Sequence, residues 1–468
     1  MENLFERLPE KFVKRLKNSL SDADFEKYKR SINEKPIRGL RINKKRVDVE
    51  SFLNGINLKF NALNFCDDGF LFEGEDKLGN TPEHLSGVVY LQEPSSMLAV
   101  CASEIEKDIR PLKILDLCAS PGGKSSQIAS RISEDSILFS NEIIKSRAQI
   151  LFSNIERQGF KNVIVLNEDP KNLMCFERYF DYVFVDAPCS GEGMFRKNPE
   201  TIAEWSEENV DMCANRQKEI LEIATKLVAP EGKLIYSTCT FAESEDEKIV
   251  EWMINEKYFE ILDVKQEIRD ITLPSNANIK NADFARKFYP FSGKGEGQFV
   301  AVFKNKSDTE RNQLHVKKHF NSIFEIGNTN YKIANEFFSK SLNFDIKKRL
   351  IEVGDNIFIK PIAFDSAMQT MLDSLKFVSI GVRAGSVQKG RFEPHHNLFM
   401  AYNDLFILKY EISDEELKKY LHGEEVMCDI TQHNNGIYVV LTKNNHPIGG
   451  GKLVQNRIKN LYPKGMRI

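Results

Sequence analysis

Between about residues 90 and 305, short apolar runs alternate with longer stretches of helical periodicity. KILDL (113–117), SILFSNE (136–142), NVIVL (162–166), DYVFVD (181–186) and KLIYST (233–238) are nearly unbroken in their apolar character, as strands covered on both faces are. The last is entered through the turn Pro230-Glu231-Gly232. Helical patterns fill the gaps, the longest from about Glu208 to Val228. This alternation predicts an α/β fold, a Rossmann-like and mostly parallel sheet with helices on both sides. FEILDV (259–264) and QFVAVFK (298–304) bring the expected count to seven strands, and the Pro- and Asn-containing segment between those two reads as a substrate loop.

The flanks follow other patterns. Helical spacing over about 9–20 and 22–31, then a strand at GLRINKK (39–45) and Gly/Asn/Asp-rich loops, predict a small α+β unit over residues 1–85. The sheet domain is expected over 86–305 and a mixed α+β linker over 310–380. Residues 381–468 read as short strands and turns, with a hairpin signal at Asn444–Pro447.

Charge changes this picture only locally. The net charge is −3, yet residues 11–46 hold 13 Lys/Arg against 4 Asp/Glu, and residues 452–468 hold 5 with no acid. Basic ends on a near-neutral chain suit contact with a polyanion, or are solvated faces. No apolar run is long enough to span a bilayer, and MENLFERLPEKFVKRL lacks a secretory h-region, so no membrane partner is expected. None of the 8 cysteines is spaced C-x-x-C, so no zinc site is expected, and the thiols are expected reduced in the cytoplasm. Cys101, Cys175 and Cys213 read as small buried hydrophobes.

Ligands of open α/β sheets bind at the carboxyl ends of the strands. Those ends here hold Asp116 with Cys118, then Glu142, Asp169, Asp186 with Cys189, and Cys239. The turn CASPGGKSS (118–126) has paired glycines before a helix, but Cys118 stands where a P-loop needs its first glycine, and G-x-G-x-x-G is absent. Glu142 lies where an acid takes ribose hydroxyls, and Asp169 can receive an adenine amino group. The three features together suit a nucleoside cofactor without a phosphate tail, S-adenosylmethionine. Beside a methyl donor, a thiol at Cys189 or Cys239 has a chemical purpose. Adding to C6 of a pyrimidine, it turns C5 into an enamine carbon able to take a methyl group. Asp186 suits the N3/N4 edge of such a base, and Lys124 suits support of the thiolate. DAPC at the fourth strand replaces the aromatic platform of amine methylation with a thiol.

DLCASPGGKSSQIA (116–129), DAPCSGEGMFRKNP (186–199) and YSTCTFAESEDE (236–247) resemble the Nop/Sun family of RNA cytosine-C5 methyltransferases. YLQEPSSML (90–98) and GKGEGQFVAVF (293–303) are similar to its flanking motifs. GRFEPHHNLFMAY (390–402), YLHGEEV (420–426) and LYPKGMRI (461–468) resemble the bacterial 16S rRNA branch, the RsmF type. The resemblance implies Cys239 as nucleophile and Cys189 as the residue assisting release, with Asp186 and Lys124 in the catalytic set. It implies Cys118, Ala119, Ser120, Pro121, Gly122, Gly123, Lys124, Glu142, Asp169 and Asp186 around S-adenosylmethionine and the base. A PUA-like RNA-binding module over 381–468 and a 16S rRNA or small-ribosomal-subunit substrate follow from the same likeness; nothing in it demands more than a monomer. The chain departs from the pattern at Phe291 and Gln298, where relatives often have His and an aromatic.

Overall fold

The computed structural model describes residues 3–55, 59–72, 78–307, 323–343, 349–430 and 436–467. Five parallel strands form its centre, in the order Val163–Leu166, Ile137–Asn141, Lys113–Asp116, Phe180–Asp186, Val228–Thr238. Alternate side chains enter two cores. Leu115, Phe139, Ile164 and Val183 pack with Leu221 and Ala224 of helix Glu207–Leu227 and Ile249 of helix Glu247–Lys257. Ile114, Leu138, Val163 and Phe184 pack with Ile128 of helix Gly123–Arg131 and Leu151 of helix Lys145–Gln158. Both faces are thus covered, which is why the strand sequences show no polar alternation. The strand order reverses between Lys113–Asp116 and Phe180–Asp186, so the ligand crevice of such a sheet falls there.

All seven expected runs form strands, but the sheet has ten. Gln298–Asn305 pairs antiparallel with the strand ending at Thr238, and Phe259–Leu262 pairs antiparallel with Gln298–Asn305. The supposed substrate loop between them also contributes two short strands, Leu273–Pro274 and Arg286–Phe288. Their sequences hid this because Arg286 and Lys287 are charged yet buried, Lys287 holding Glu247 at 2.8 Å and Asp246 at 3.2 Å. The tenth strand, Phe377–Ile380, comes from the far side of the chain and pairs antiparallel with Val163–Leu166. The turn at 230–232 is absorbed within Val228–Thr238, with Glu231 at φ +63°.

In the N-terminal unit, helices Glu10–Ser19 and Asp22–Ser31 stand beside a four-stranded sheet in the order Phe60–Leu63, Cys66–Phe72, Gly39–Ile42, Val89–Leu91. Two of those strands occupy what the sequence suggested was loop. Phe12, Leu16 and Tyr28 of the helices pack against Phe195, Trp205, Phe241 and Tyr289, so the unit rests on the segments that follow Cys189, Cys239 and the strand Arg286–Phe288. Part of the basic run faces inward: Arg41 is buried against Ser126 and Asp68, and Arg15 pairs with buried Glu192.

The C-terminal part holds two five-stranded sheets. The first runs Phe324–Glu325, Leu350–Val353, Asn356–Ile359, Val382–Gln388, Arg391–Pro394, and so continues across position 380. The second runs Lys409–Glu411, Tyr438–Lys443, His446–Val454, Arg457–Asn460, Val426–Met427. Asn444 and Asn445 turn its hairpin at φ +53° and +63°, a pair of left-handed residues that matches strand twist. The linker start expected near 310 lies outside the described residues. No described helix is long and apolar enough to cross a membrane.

Candidate functional site

The turn after Lys113–Asp116 begins the site. Gly122, at φ +110°, caps the helix that starts at Gly123, and a Cβ there would lie 3.1 Å from Leu151 Cδ1. Only glycine takes this conformation without strain. Asp116 lies beneath the turn, fully buried, and accepts a hydrogen bond from Ser125 Oγ at 2.6 Å. Burial, joined by the charges of Asp186 and Glu142, pushes its pKa up to about 7 against the pull of that hydrogen bond. Asp116 therefore supports the turn from behind and is no part of the ligand-facing strand edge to which the sequence assigned it.

A cavity of about 550 Å³ opens above the strand ends. Cys118, Ser120, Glu142, Asp169, Asp186, Cys189 and Cys239 line it, all from the expected set. Ala119, Pro121, Gly122, Gly123 and Lys124 build the wall behind without lining it; Ala119 N–H donates to Asn141 O at 2.8 Å. Glu142 is 4% exposed; its Oε1 accepts from Ile144 N–H at 2.9 Å and its carboxylate faces Arg147 at 3.5 Å. Asp169 caps the short helix Pro170–Phe176, accepting from Lys171 N–H at 2.9 Å. Ile143, Ile144, Pro170, Ile220 and Ile223 supply the apolar part of the lining. Burial pushes the Cys118 thiol well up, with the charges of Asp116, Asp186 and Glu142 adding, so it stays protonated.

At the other end of the cavity two sulfurs meet. Cys189 Sγ and Cys239 Sγ are 3.1 Å apart, and Cys239 N–H donates to Cys189 Sγ at 3.3 Å. The contact arises because Phe180–Asp186 and Val228–Thr238 are parallel neighbours in register, Asp186 beside Ser237, so the residues just beyond each strand come together. The hydrogen bond to Cys239, then burial, push the Cys189 thiol well above its ordinary range.

Asp186 is held on three sides. Lys124 Nζ lies 2.7 Å from Oδ2, Ser237 Oγ donates to Oδ1 at 2.7 Å, and Gln298 Nε2 approaches Oδ1 at 3.4 Å. Burial alone would lower the Lys124 pKa; Asp186, with help from Asp116 and Cys239, raises it on balance, so the lysine stays charged. Gln298, singled out as a departure from the family pattern, thus touches the carboxylate that faces the cavity. Phe291, the other departure, stacks on Tyr289 at 5.3 Å, and Tyr289 stacks on Phe241 at 4.6 Å, two residues beyond Cys239.

Sequence reasoning missed several participants. Asn141 ties two strand ends, its Nδ2 donating to Leu117 O at 3.3 Å and Glu168 O at 3.0 Å. Arg147, Arg216 and Glu219 join the lining from two helices. Gln217 and Glu245 hold the cysteine loops from behind. Asn141 adjoins Glu142 in SNE, which was a usable signal; residues on long helices carried none.

Comparison with known proteins agrees along the chain. Residues 105–304 match the family model of 16S rRNA methyltransferase RsmB/F, and residues 8–94 that of the N-terminal domain of 16S rRNA methyltransferase RsmF. Residues 336–402 match the first C-terminal domain of RsmF rRNA methyltransferase, and 407–468 the methyltransferase RsmF PUA domain. Ribosomal RNA small subunit methyltransferase F of Enterobacter sp. (strain 638) is 29% identical over 469 residues, covering 97% of this chain and 95% of its own. Among solved structures, a methyltransferase homolog protein from Pyrococcus horikoshii is similar at 24% identity and a TM-score of 0.53, over 65% of this chain and 99% of that one. NSun6 from Pyrococcus horikoshii with SFG shares the fold at 18% identity and a TM-score of 0.57, over 65% of this chain and 100% of that one. From the N-terminal unit through the two-cysteine sheet to the PUA domain, the chain belongs to the RsmB/F family of 16S rRNA methyltransferases.

Proposed function

We propose that this protein transfers a methyl group from S-adenosylmethionine to C5 of a cytosine in 16S rRNA through a transient bond between Cys239 Sγ and C6. The observation that carries the proposal is the pair of sulfurs 3.1 Å apart at the rim of a cavity that also holds Asp186 and Glu142. The cavity fits the methyl donor: Glu142 suits the ribose hydroxyls, Asp169 the adenine amino group, and Ile143, Ile144 and Pro170 the faces of an adenine ring. When bound there, S-adenosylmethionine supplies an electrophilic methyl group.

The chain's residues do the rest. Cys239 adds to C6, and the electron pair moves to C5, which takes the methyl group. Asp186, held by Lys124 and Ser237, binds the N3/N4 edge, and the Lys124 ammonium beside it offsets the negative charge that develops there. A base takes the C5 proton, its bonding pair forms the C5–C6 double bond, and the Cys239 sulfur leaves C6 as the thiolate, which restores the aromatic ring. Cys189, beside the bond that breaks, assists this release. The target base must leave its stack to enter, at a cost of a few kcal/mol. In this reading the N-terminal unit (1–85) and the PUA-like region (381–468) hold the RNA by backbone and shape.

The test uses small ribosomal subunits and 16S rRNA with labelled S-adenosylmethionine, and maps 5-methylcytosine on the product. Cys239→Ala should abolish transfer. Cys189→Ala should attack but release slowly, so a covalent protein–RNA adduct accumulates. Full activity in Cys239→Ala, or methylation at another base atom, would overturn the proposal.

A further inference from the structure

We propose that Glu245 is the positioning residue that sets the distance between the two cysteine loops; this rests on the two-cysteine reading above. Glu245 is fully buried on the turn before helix Glu247–Lys257 and does not line the cavity. Its carboxylate collects donors from both loops. From the Cys189 loop, Ser190 N–H donates to Oε2 at 3.0 Å and Ser190 Oγ donates to Oε1. From the Cys239 loop, Thr240 Oγ1 donates to Oε1 at 3.3 Å. The residues that follow the two cysteines are thus gripped by one side chain, and their hydroxyls are themselves 2.8 Å apart.

Gln217 completes the clasp. Its Nε2 donates to Glu245 Oε2 at 2.8 Å and to Pro188 O at 3.0 Å, the residue before Cys189. Tyr236 OH lies 3.0 Å from Gln217 Oε1 and 2.6 Å from Glu245 O, tying the clasp to the strand that leads to Cys239. Ser190, Gln217, Tyr236 and Thr240 are all buried, so water does not compete for these bonds. All these donors are neutral, and burial, with the charge of Glu192 adding, raises the Glu245 pKa against the pull of the Ser190 and Gln217 bonds. A buried carboxylate without a cation is costly where mere packing is wanted. Its use here is geometric: a two-oxygen acceptor takes bonds from both cysteine loops at once.

If Glu245 sets the sulfur separation, removing it harms the step that needs both cysteines more than the step that needs one. Glu245→Ala should bind RNA with a KM within about two-fold of the parent while kcat falls about 100-fold. A covalent RNA adduct should build up during turnover, since Cys239 still attacks while Cys189 stands too far away to assist release. General loosening of the fold would lower adduct and product together.

A second measurement is independent of the methyl-transfer chemistry. Diamide removes two hydrogens from a pair of neighbouring thiols, joining the sulfurs and becoming the hydrazine. Peptide mapping by mass spectrometry should find a Cys189–Cys239 disulfide in the parent, formed about 10-fold more slowly in Glu245→Ala. Should Glu245→Ala not fold, Thr240→Val keeps the carboxylate, removes the Thr240 hydroxyl's contacts with Glu245, Ser190 and Ala242 N–H, and should slow the disulfide about three-fold, with thermal unfolding as the control. An unchanged disulfide rate in the folded variants, or a KM that rises as much as kcat falls, overturns the role assigned to Glu245. Absence of 5-methylcytosine in the parent would instead remove the proposed function and leave the disulfide result standing.

Discussion

Two thiol pairs in this protein have much the same polar company and opposite access. Cys66, on the N-terminal strand Cys66–Phe72, and Cys101, on helix Leu98–Ser103, are 1% and 0% exposed. Gln127 Nε2 donates to Cys101 Sγ at 3.4 Å, Arg131 lies 3.5 Å from Cys66 Sγ, and Arg131 holds Asp68 at 2.6 Å. Cys189 and Cys239 have a comparable cation–carboxylate partner in Lys124 and Asp186, but they line an open cavity. In both pairs one thiol is driven to stay protonated: Cys66 by burial and its bond to Cys101, Cys189 by its bond to Cys239 and burial. Charge beside a thiol is therefore common to both pairs; what separates them is access to the cavity. The sealed pair belongs to a junction in which Arg41 and Arg131 fasten the N-terminal sheet to helix Gly123–Arg131.

The largest expected effect separates the pairs by reactivity. Iodoacetamide should alkylate the cavity cysteines and stop methyl transfer, while Cys66 and Cys101 react at least about 100-fold more slowly, limited by opening of the fold. Peptide mapping against time reads both rates; equal labelling would break the comparison. Next come the cations. Arg131→Met leaves Asp68 buried without its nearest partner and should cost about 3–5 kcal/mol in urea unfolding. Lys124→Met should cost less than half of that, because Asp186 is about a third exposed, yet should lower kcat about 100-fold.

The smallest effect is in pH. Asp116, beneath the turn that borders the cavity, has a pKa raised to about 7 by burial, whereas Asp68 is held low because Arg131 and Arg41 outweigh its burial. Between about pH 4, the unfolded value, and pH 7 the folded protein binds more protons at Asp116, so this group's contribution to stability falls as pH rises through that window. Asp116→Asn should therefore gain on the parent by a few degrees in Tm between pH 5 and pH 8. Asp68→Asn should show the reverse order. Its stabilising contribution is present above about pH 4 and is lost as pH falls through the lowered folded value, so the variant's deficit shrinks in acid. Thermal unfolding of Asp116→Asn between pH 5 and pH 8, and of Asp68→Asn from about pH 5 downward, checks both signs.

The expected strand runs and the acids and thiols at their ends were legible because local sequence carries them. A strand buried on both faces must be apolar throughout, and its end is where polarity returns. Arg286–Phe288 was not legible, since the Lys287 charge is met by Asp246 and Glu247, some forty positions earlier, and Arg286 is held by Thr272 and by backbone carbonyls. Nor was Phe377–Ile380, whose partner strand lies some two hundred positions earlier. Asp116 was misassigned for a related reason. A carboxyl group at a strand end looks the same in sequence whether its side chain faces the crevice or the helix behind it.

Linear order alone was enough for the seven expected strand runs and for the motifs around Cys118, Asp186, Cys189 and Cys239, because strand length, turn chemistry and residue type are local properties. Tertiary structure alone decided which thiols meet, which carboxylate supports and which ones face the cavity, and that Glu245 grips two loops. Those outcomes depend on register between strands far apart in the chain and on the exclusion of water, and neither exists until the sheet has closed.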